Sequence, residues 1–168
     1  MESEANSGSA PRDWFTELTA RIPGFVGYSG REQRRAADKM VRDTMVLKLD
    51  DLRDILSDVI EKANDAETSI VDDLSQILRT TNELRDKIEF VSYGETAFFS
   101  SEHLATDYLS GIYNLETIIY DTLDRLETLC ESPKDLGRRD TLREIRKGLD
   151  TILQNFTARK EAIKASRP

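Results

Sequence analysis

Apolar residues recur along most of this chain at alternating steps of three and four, with polar residues filling the gaps. An average step of 3.5 keeps one stripe of a helix turned toward a neighbour. The pattern predicts a first long helix over about 31–62, with the seam Val41, Met45, Leu49, Leu52, Leu56, Val59 and Ala63. A second helix, over 68–91, carries Ile70, Leu74, Ile77, Thr81, Leu84, Ile88 and Val91. Thr81 is the one polar member of that seam, acceptable if its hydroxyl returns to the preceding turn. A third helix, over 102–130, is expected to start behind Ser101 as N-cap. It has one stripe of Ala105, Tyr108, Ile112, Leu115, Ile119, Thr122, Leu126 and Leu129. A parallel stripe holds Leu109, Tyr113, Glu116, Tyr120, Leu123, Glu127 and Cys130. Two stripes make a broad apolar face, so this helix should be the most enclosed. The fourth, over 138–164, has the seam Leu142, Ile145, Leu149, Ile152, Phe156, Arg159 and Ile163, with Gly148 beside it where a neighbour could approach closely.

Residues 31–92 contain neither Gly nor Pro. Those residues cost a helix interior roughly 1 and 3 kcal/mol, so their absence permits long helices. Asn64-Asp65-Ala66, Ser92-Tyr93-Gly94-Glu95 and Ser132-Pro133 with Leu136-Gly137 read as connections. Four helices of similar length with short connections imply an all-α fold, an antiparallel up-down four-helix bundle with long coiled-coil-like helices. Leu74, Leu84, Leu115, Ile119, Leu149 and Ile152 should share one core. A long hairpin paired with a second chain would satisfy the same seams.

Two segments precede the bundle. Residues 1–12 are small, polar and acidic and read as a disordered leader. They lack the basic and apolar regions of a secretory signal. Residues 13–30 form a short amphipathic helix, capped by Asp13, and an apolar loop broken by Pro23-Gly24. Two readings of that appendage stay open. It could fold back as a satellite core on one bundle end. Alternatively, Trp14, Phe15, Leu18, Phe25 and Tyr28, beside Arg31, Arg34 and Arg35, could meet a protein partner or an anionic membrane. On the third helix, Leu109, Tyr113, Tyr120 and Leu123 would make a homo-oligomer patch if the second stripe stayed uncovered. The run Ile22, Pro23, Gly24, Gly27, Tyr28, Glu32, Arg34, Arg35 and Asp38 resembles an IPG-x-x-GY-x-x-x-E-x-R-R-x-x-D opening of uncharacterised bacterial helical proteins. The resemblance implies a prokaryotic source and an internal structural role for the segment, and no activity.

Charge refines this picture. The net charge is −8, yet it is unevenly spread. Asp43 to Pro133 holds 21 acidic and seven basic residues, whereas Lys134 to Pro168 holds ten basic and five acidic. Internal pairing of acidic and basic helices is the expected use of these charges, including the ridge Asp50, Asp54, Asp58 and Glu61 and the cluster Arg138, Arg139, Arg143, Arg146 and Lys147. Overall acidity makes nucleic acid a poor partner. Glu116 and Glu127 could bind a cationic ligand from an apolar groove, but are expected at its edge, pointing outward. The single histidine, His103, sits in no nucleophile or metal motif, and no phosphate-loop or dinucleotide fingerprint occurs. Catalytic, cofactor and metal residues are therefore assigned to none. Cys130 is the only cysteine and reads as a small buried hydrophobe in a reducing, cytoplasmic setting. No apolar run reaches the roughly 20 residues of a membrane-spanning helix. The expectation is a non-enzymatic interaction or scaffold protein, with peripheral membrane association and a ligand-binding or enzymatic bundle as alternatives.

Overall fold

The computed structural model describes residues 12–64 and 68–166. The expected leader, apart from Arg12, and the connection after Asn64 lie outside the described residues. The fold is all-α, and no strand occurs among the described residues. Six helices pack against one another: α1 (Trp14–Arg21), α2 (Arg34–Lys62), α3 (Thr68–Glu89), α4 (Ala97–Ser100), α5 (Thr106–Cys130) and α6 (Arg139–Lys164). The 3-10 turns Arg31–Gln33 and Asp135–Gly137 lead into α2 and α6. No described helix is long and apolar enough to cross a membrane.

The long helices pair as two hairpins. Arg42, early in α2, donates to the carbonyls of Ile88 and Glu89 at the end of α3, and Asp50 pairs with Arg85 at 2.9 Å. The two helices therefore run in opposite directions. So do α5 and α6, because the Tyr108 hydroxyl donates to the Ala162 carbonyl while Arg125 pairs with Glu144. Across the hairpins the sense is the same. The Tyr120 hydroxyl donates to Val41 O and Lys48 pairs with Asp124, which sets α2 alongside α5 in parallel. Arg146 and Asp73 join α6 to α3 near their starts. Helices α3 and α5, consecutive among the long ones, are not among the broadly contacting pairs. Loop 90–96 and α4 make the crossing that this arrangement requires.

The seams are buried largely where their period puts them. Val41, Met45, Leu49, Leu52 and Leu56 of α2 and Leu74, Ile77, Leu84 and Ile88 of α3 are interior. So are Leu142, Ile145, Leu149, Ile152, Phe156 and Ile163 of α6. The Thr81 hydroxyl donates to Ile77 O at 2.8 Å, so its polar group is satisfied inside the seam. Gly148 permits the close approach of α6 to α5: a Cβ there would lie 2.6 Å from Leu126 Cδ2.

Two boundaries differ from the sequence pattern. Ser101 does not cap the third long helix, which begins at Thr106. Instead Phe98 and Phe99 turn inward on the single-turn α4, and the carbonyls of Phe98 and Ser101 accept hydrogen bonds from the buried guanidinium of Arg34. A distant side chain thus takes up the Ser101 carbonyl that a helix capped there would use as its first acceptor. On α5, Leu115 is only half-buried, whereas the second stripe is interior at Leu109, Tyr113, Glu116, Tyr120, Leu123 and Cys130.

These differences fix a ranking. Leu149→Ala should cost about 2–5 kcal/mol, the range for emptying a closed core site, and Leu115→Ala distinctly less. Urea unfolding of both variants measures the difference, and equal losses would count against this packing.

Candidate functional site

Charged residues stand at seam positions on three helices, and the fold brings them together. Stepping back from Val41 along α2 reaches Asp38 and Arg34. On α5, Glu116 lies between Tyr113 and Tyr120. On α6, Arg159 lies between Phe156 and Ile163. Arg34, Glu116 and Arg159 are fully buried, and Asp38 nearly so.

Arg159 is the centre. Its Nε donates to Glu116 Oε1 at 2.7 Å, Nη1 to the Tyr93 hydroxyl at 2.5 Å, and Nη2 to Asp38 Oδ1 at 2.7 Å and the Tyr28 hydroxyl at 3.1 Å. Tyr28 donates its own proton to Glu116 Oε1 and Tyr93 donates to Asp38 Oδ1. Arg42 Nε binds the second Asp38 oxygen at 3.0 Å. Two guanidinium groups thus face two carboxylates, so the cluster balances its charge internally. Glu116 Oε2 has no hydrogen-bond partner among the described residues. The cluster joins the N-terminal loop, α2, the loop after α3, α5 and α6.

A second buried cation seals one end. Arg34 donates to the carbonyls of Tyr28, Ser29, Phe98, Ser101 and Glu102 at 2.6–3.4 Å. Burial pulls its pKa down, and the neighbouring charge of Arg31 adds to the fall while Glu102 opposes it. Burial likewise pulls at Arg159, but Tyr28, Glu116, Tyr93 and Asp38 more than reverse it, leaving its pKa well above the usual value. Desolvation raises the Glu116 carboxyl, opposed by Arg159. Desolvation also raises Tyr28 strongly and Tyr93 to about 12.

The N-terminal segment is built into this cluster. Tyr28 stacks on Tyr113 with centroids 5.5 Å apart, and its backbone N–H donates to the Tyr113 hydroxyl at 2.8 Å. Phe25 meets both rings edge-on. Gly27 has φ +79°, and a Cβ there would lie 2.6 Å from the Tyr113 hydroxyl, so only glycine lets the loop lie this close. Asp13 caps α1 through the Thr16 N–H.

The proposed contact residues consequently separate. Leu18, Phe25, Tyr28 and Arg34 are interior. Trp14 is half-buried beneath Arg12, and Phe15, Arg31 and Arg35 remain exposed. Arg31 pairs with Glu102, and Arg35 stacks over Phe99 at 4.4 Å. The oligomer patch is covered too: Leu109, Tyr113, Tyr120 and Leu123 are buried, with α1 and the loop after it against α5.

Glu127 points outward as expected, while Glu116 does the opposite because Arg159 and Tyr28 supply its hydrogen bonds inside. Cys130 is buried, which lifts its thiol to about 11 and leaves it unreactive. His103 is exposed and outside the cluster. The acidic ridge answers mainly to its own helix, through Arg53 and Lys62, rather than to α6. Of the basic cluster, among the described residues, only Arg146 reaches across helices, to Asp73, while Arg138 and Arg143 pair within their own neighbourhood. No group of three or more ligating side chains is placed to hold a metal among the described residues. No model of a known protein family matches the chain, and no curated protein or solved structure does so either.

Removing Arg159 leaves two carboxylates buried without their main counter-charge. Arg159→Met should therefore cost about 3–5 kcal/mol in chemical unfolding. A loss below about 1 kcal/mol would show that the cluster does not hold the helices.

Alkaline pH gives an independent readout. Tyr28, Tyr93 and Tyr120 are all raised from the ordinary value of 10.0, chiefly by burial. A raised folded value means that their contribution is complete below the unfolded pKa and is lost as pH climbs past it. Stability should fall above about pH 10, by up to about 1.4 kcal/mol per pH unit for each such tyrosine. Urea midpoints and tyrosinate absorbance should move together, and a flat profile to about pH 12 would contradict the burial of these hydroxyls.

Proposed function

We propose that this chain is a non-enzymatic interaction or scaffold protein. Its four long helices are read as a four-helix bundle of two hairpins lying side by side, with coiled-coil-like seams. The observation that carries the functional reading is a division of labour. The polar side chains capable of chemistry at the centre are occupied in holding helices together. Meanwhile large apolar side chains remain outside, with Phe15 39% and Val26 55% exposed.

Phe15 and Val26 border a groove of about 380 Å³ that also includes Trp14, Leu109 and Tyr113, with Arg12 and Ser110 among its polar lining. Aromatic walls with a polar rim suit the apolar anchor of a protein partner. The resemblance of Ile22–Asp38 to bacterial helical proteins fits an internal role, since Ile22, Tyr28, Arg34 and Asp38 are buried. The membrane reading ranks second because its cations are largely committed. Arg21 pairs with Asp121, Arg31 with Glu102, and Arg34 is interior, which leaves Arg35. A homo-oligomer would have to use a surface other than the covered stripe of α5.

The test is a double substitution, Phe15→Ser with Val26→Ser, in a pull-down from the native host. Val26 is exposed, whereas Phe15 also packs on Phe25 and Tyr113, so a specific partner should be lost with a modest fall in melting temperature that Phe15→Ser alone reproduces. Leu47→Ser, on an exposed α2 position, serves as control. Retention of every partner by the double variant would sink this reading. Sedimentation with anionic vesicles, abolished by the same variant, would favour the membrane instead.

A further inference from the structure

On another face of the molecule, α2 and the loop following α3 enclose an open cleft of about 430 Å³. One wall carries Arg35, Lys39 and Arg42 at successive turns of α2, and the other is the Ser92–Glu95 loop. The buried cluster reaches the cleft at Asp38 and Tyr93.

The donors here are held in place and incompletely used. The guanidinium of Arg35 lies 4.4 Å from the centroid of the largely buried Phe99 ring, and makes no ion pair or hydrogen bond among the described residues. Stacking fixes the plane of the group and leaves its edge donors open. Arg42 is anchored through Nε by Asp38 and through Nη1 by the Ile88 and Glu89 carbonyls, which leaves Nη2 unengaged among the described residues. Opposite them, the N–H groups of Ser92, Tyr93, Gly94 and Glu95 donate to no backbone carbonyl among the described residues. Gly94 has φ +70°, and nothing lies within 4 Å of where its Cβ would stand. Asp38 is shared by Arg42, Tyr93 and Arg159, and Asp43 pairs with Lys39, so Arg35 is the cation of this wall that makes no ion pair among the described residues. Glu95 is the remaining carboxylate of the lining.

We propose that this cleft binds a small, multiply charged oxyanion, a molecule bearing phosphoryl or carboxylate groups. Arg35 and Arg42 would grip it from α2, and the Ser92–Glu95 amides from the loop. Planar guanidinium forks match the spacing of such oxygens, and backbone amides add donors without adding charge. The site is separate from the Phe15–Val26 groove and does not depend on a protein partner there.

Calorimetric titration of the full chain with pyrophosphate, citrate and inorganic phosphate at low salt tests the proposal, with amide NMR shifts locating the site. Saturable binding is expected with pyrophosphate or citrate, with shifts centred on Ser92–Glu95. Preference between these two anions assigns the phosphoryl or the carboxylate chemistry. Arg35→Gln should weaken binding by about tenfold or more, the loss of a charge-assisted contact, without lowering the melting temperature. Lys39→Gln, one turn along the same wall, should weaken it in the same direction and provides the test if Arg35→Gln perturbs the fold. Arg143→Gln, an exposed arginine outside the cleft, should change nothing. Absence of saturable binding with all three anions overturns the proposal. So does equal weakening by Arg143→Gln, because the anions would then be responding to general surface charge.

Discussion

A single buried guanidinium sets the terms for this structure. Arg159 has no access to water, and a charge in that position is tolerated only if opposite charge and hydrogen-bond acceptors surround it. Those partners come from four other parts of the chain: Tyr28, Asp38, Tyr93 and Glu116. Satisfying one side chain therefore fixes where the N-terminal loop, α2, the α3–α4 loop and α5 must sit relative to α6. Apolar seams alone would permit several registers and neighbours, because Leu and Ile contacts are not directional. The polar cluster distinguishes among them, since a register shift would leave a buried ion without its partner.

This requirement also explains the N-terminal segment. Ile22 to Tyr28 closes the cluster on the α5 side, and Gly27 allows its backbone to lie against Tyr113. The same packing covers the apolar stripe of α5 that would otherwise face solvent. Arg34 then ties this loop to α4 through backbone carbonyls. The appendage is part of the core on its inner side, while its outer side keeps Phe15 and Val26 available. One short segment thus serves stability and presents the apolar groove on which the interaction reading rests.

The surface left over is divided by chemistry. The Phe15–Val26 groove is aromatic and aliphatic, suited to apolar anchors. The Arg35–Glu95 cleft is polar, and it adjoins the cluster through Asp38 and Tyr93. Anything that binds in the cleft touches residues whose other contacts run to the centre of the molecule.

The period of the apolar residues was enough to reveal four long helices, their approximate ends, the inward hydroxyl of Thr81 and the tight approach at Gly148. These features are local: they depend on helix geometry and on which side of one helix a residue occupies. The charged core was visible only in part, because Glu116 and Arg159 fall on the apolar stripes read from the sequence while Arg34 and Asp38 precede the seam that begins at Val41. Their roles were not, since a charge on a seam can turn outward at its edge or be buried with a partner, and the partners lie 43 to 121 residues away along the chain for Arg159 with Glu116 and Asp38. Tertiary structure alone decided that Glu116 points in, that Arg34 is sealed beneath the loop, and that α5 begins late. It also decided which helices are neighbours, because a 3.5-residue stripe says that a face must be covered and carries no information about what covers it.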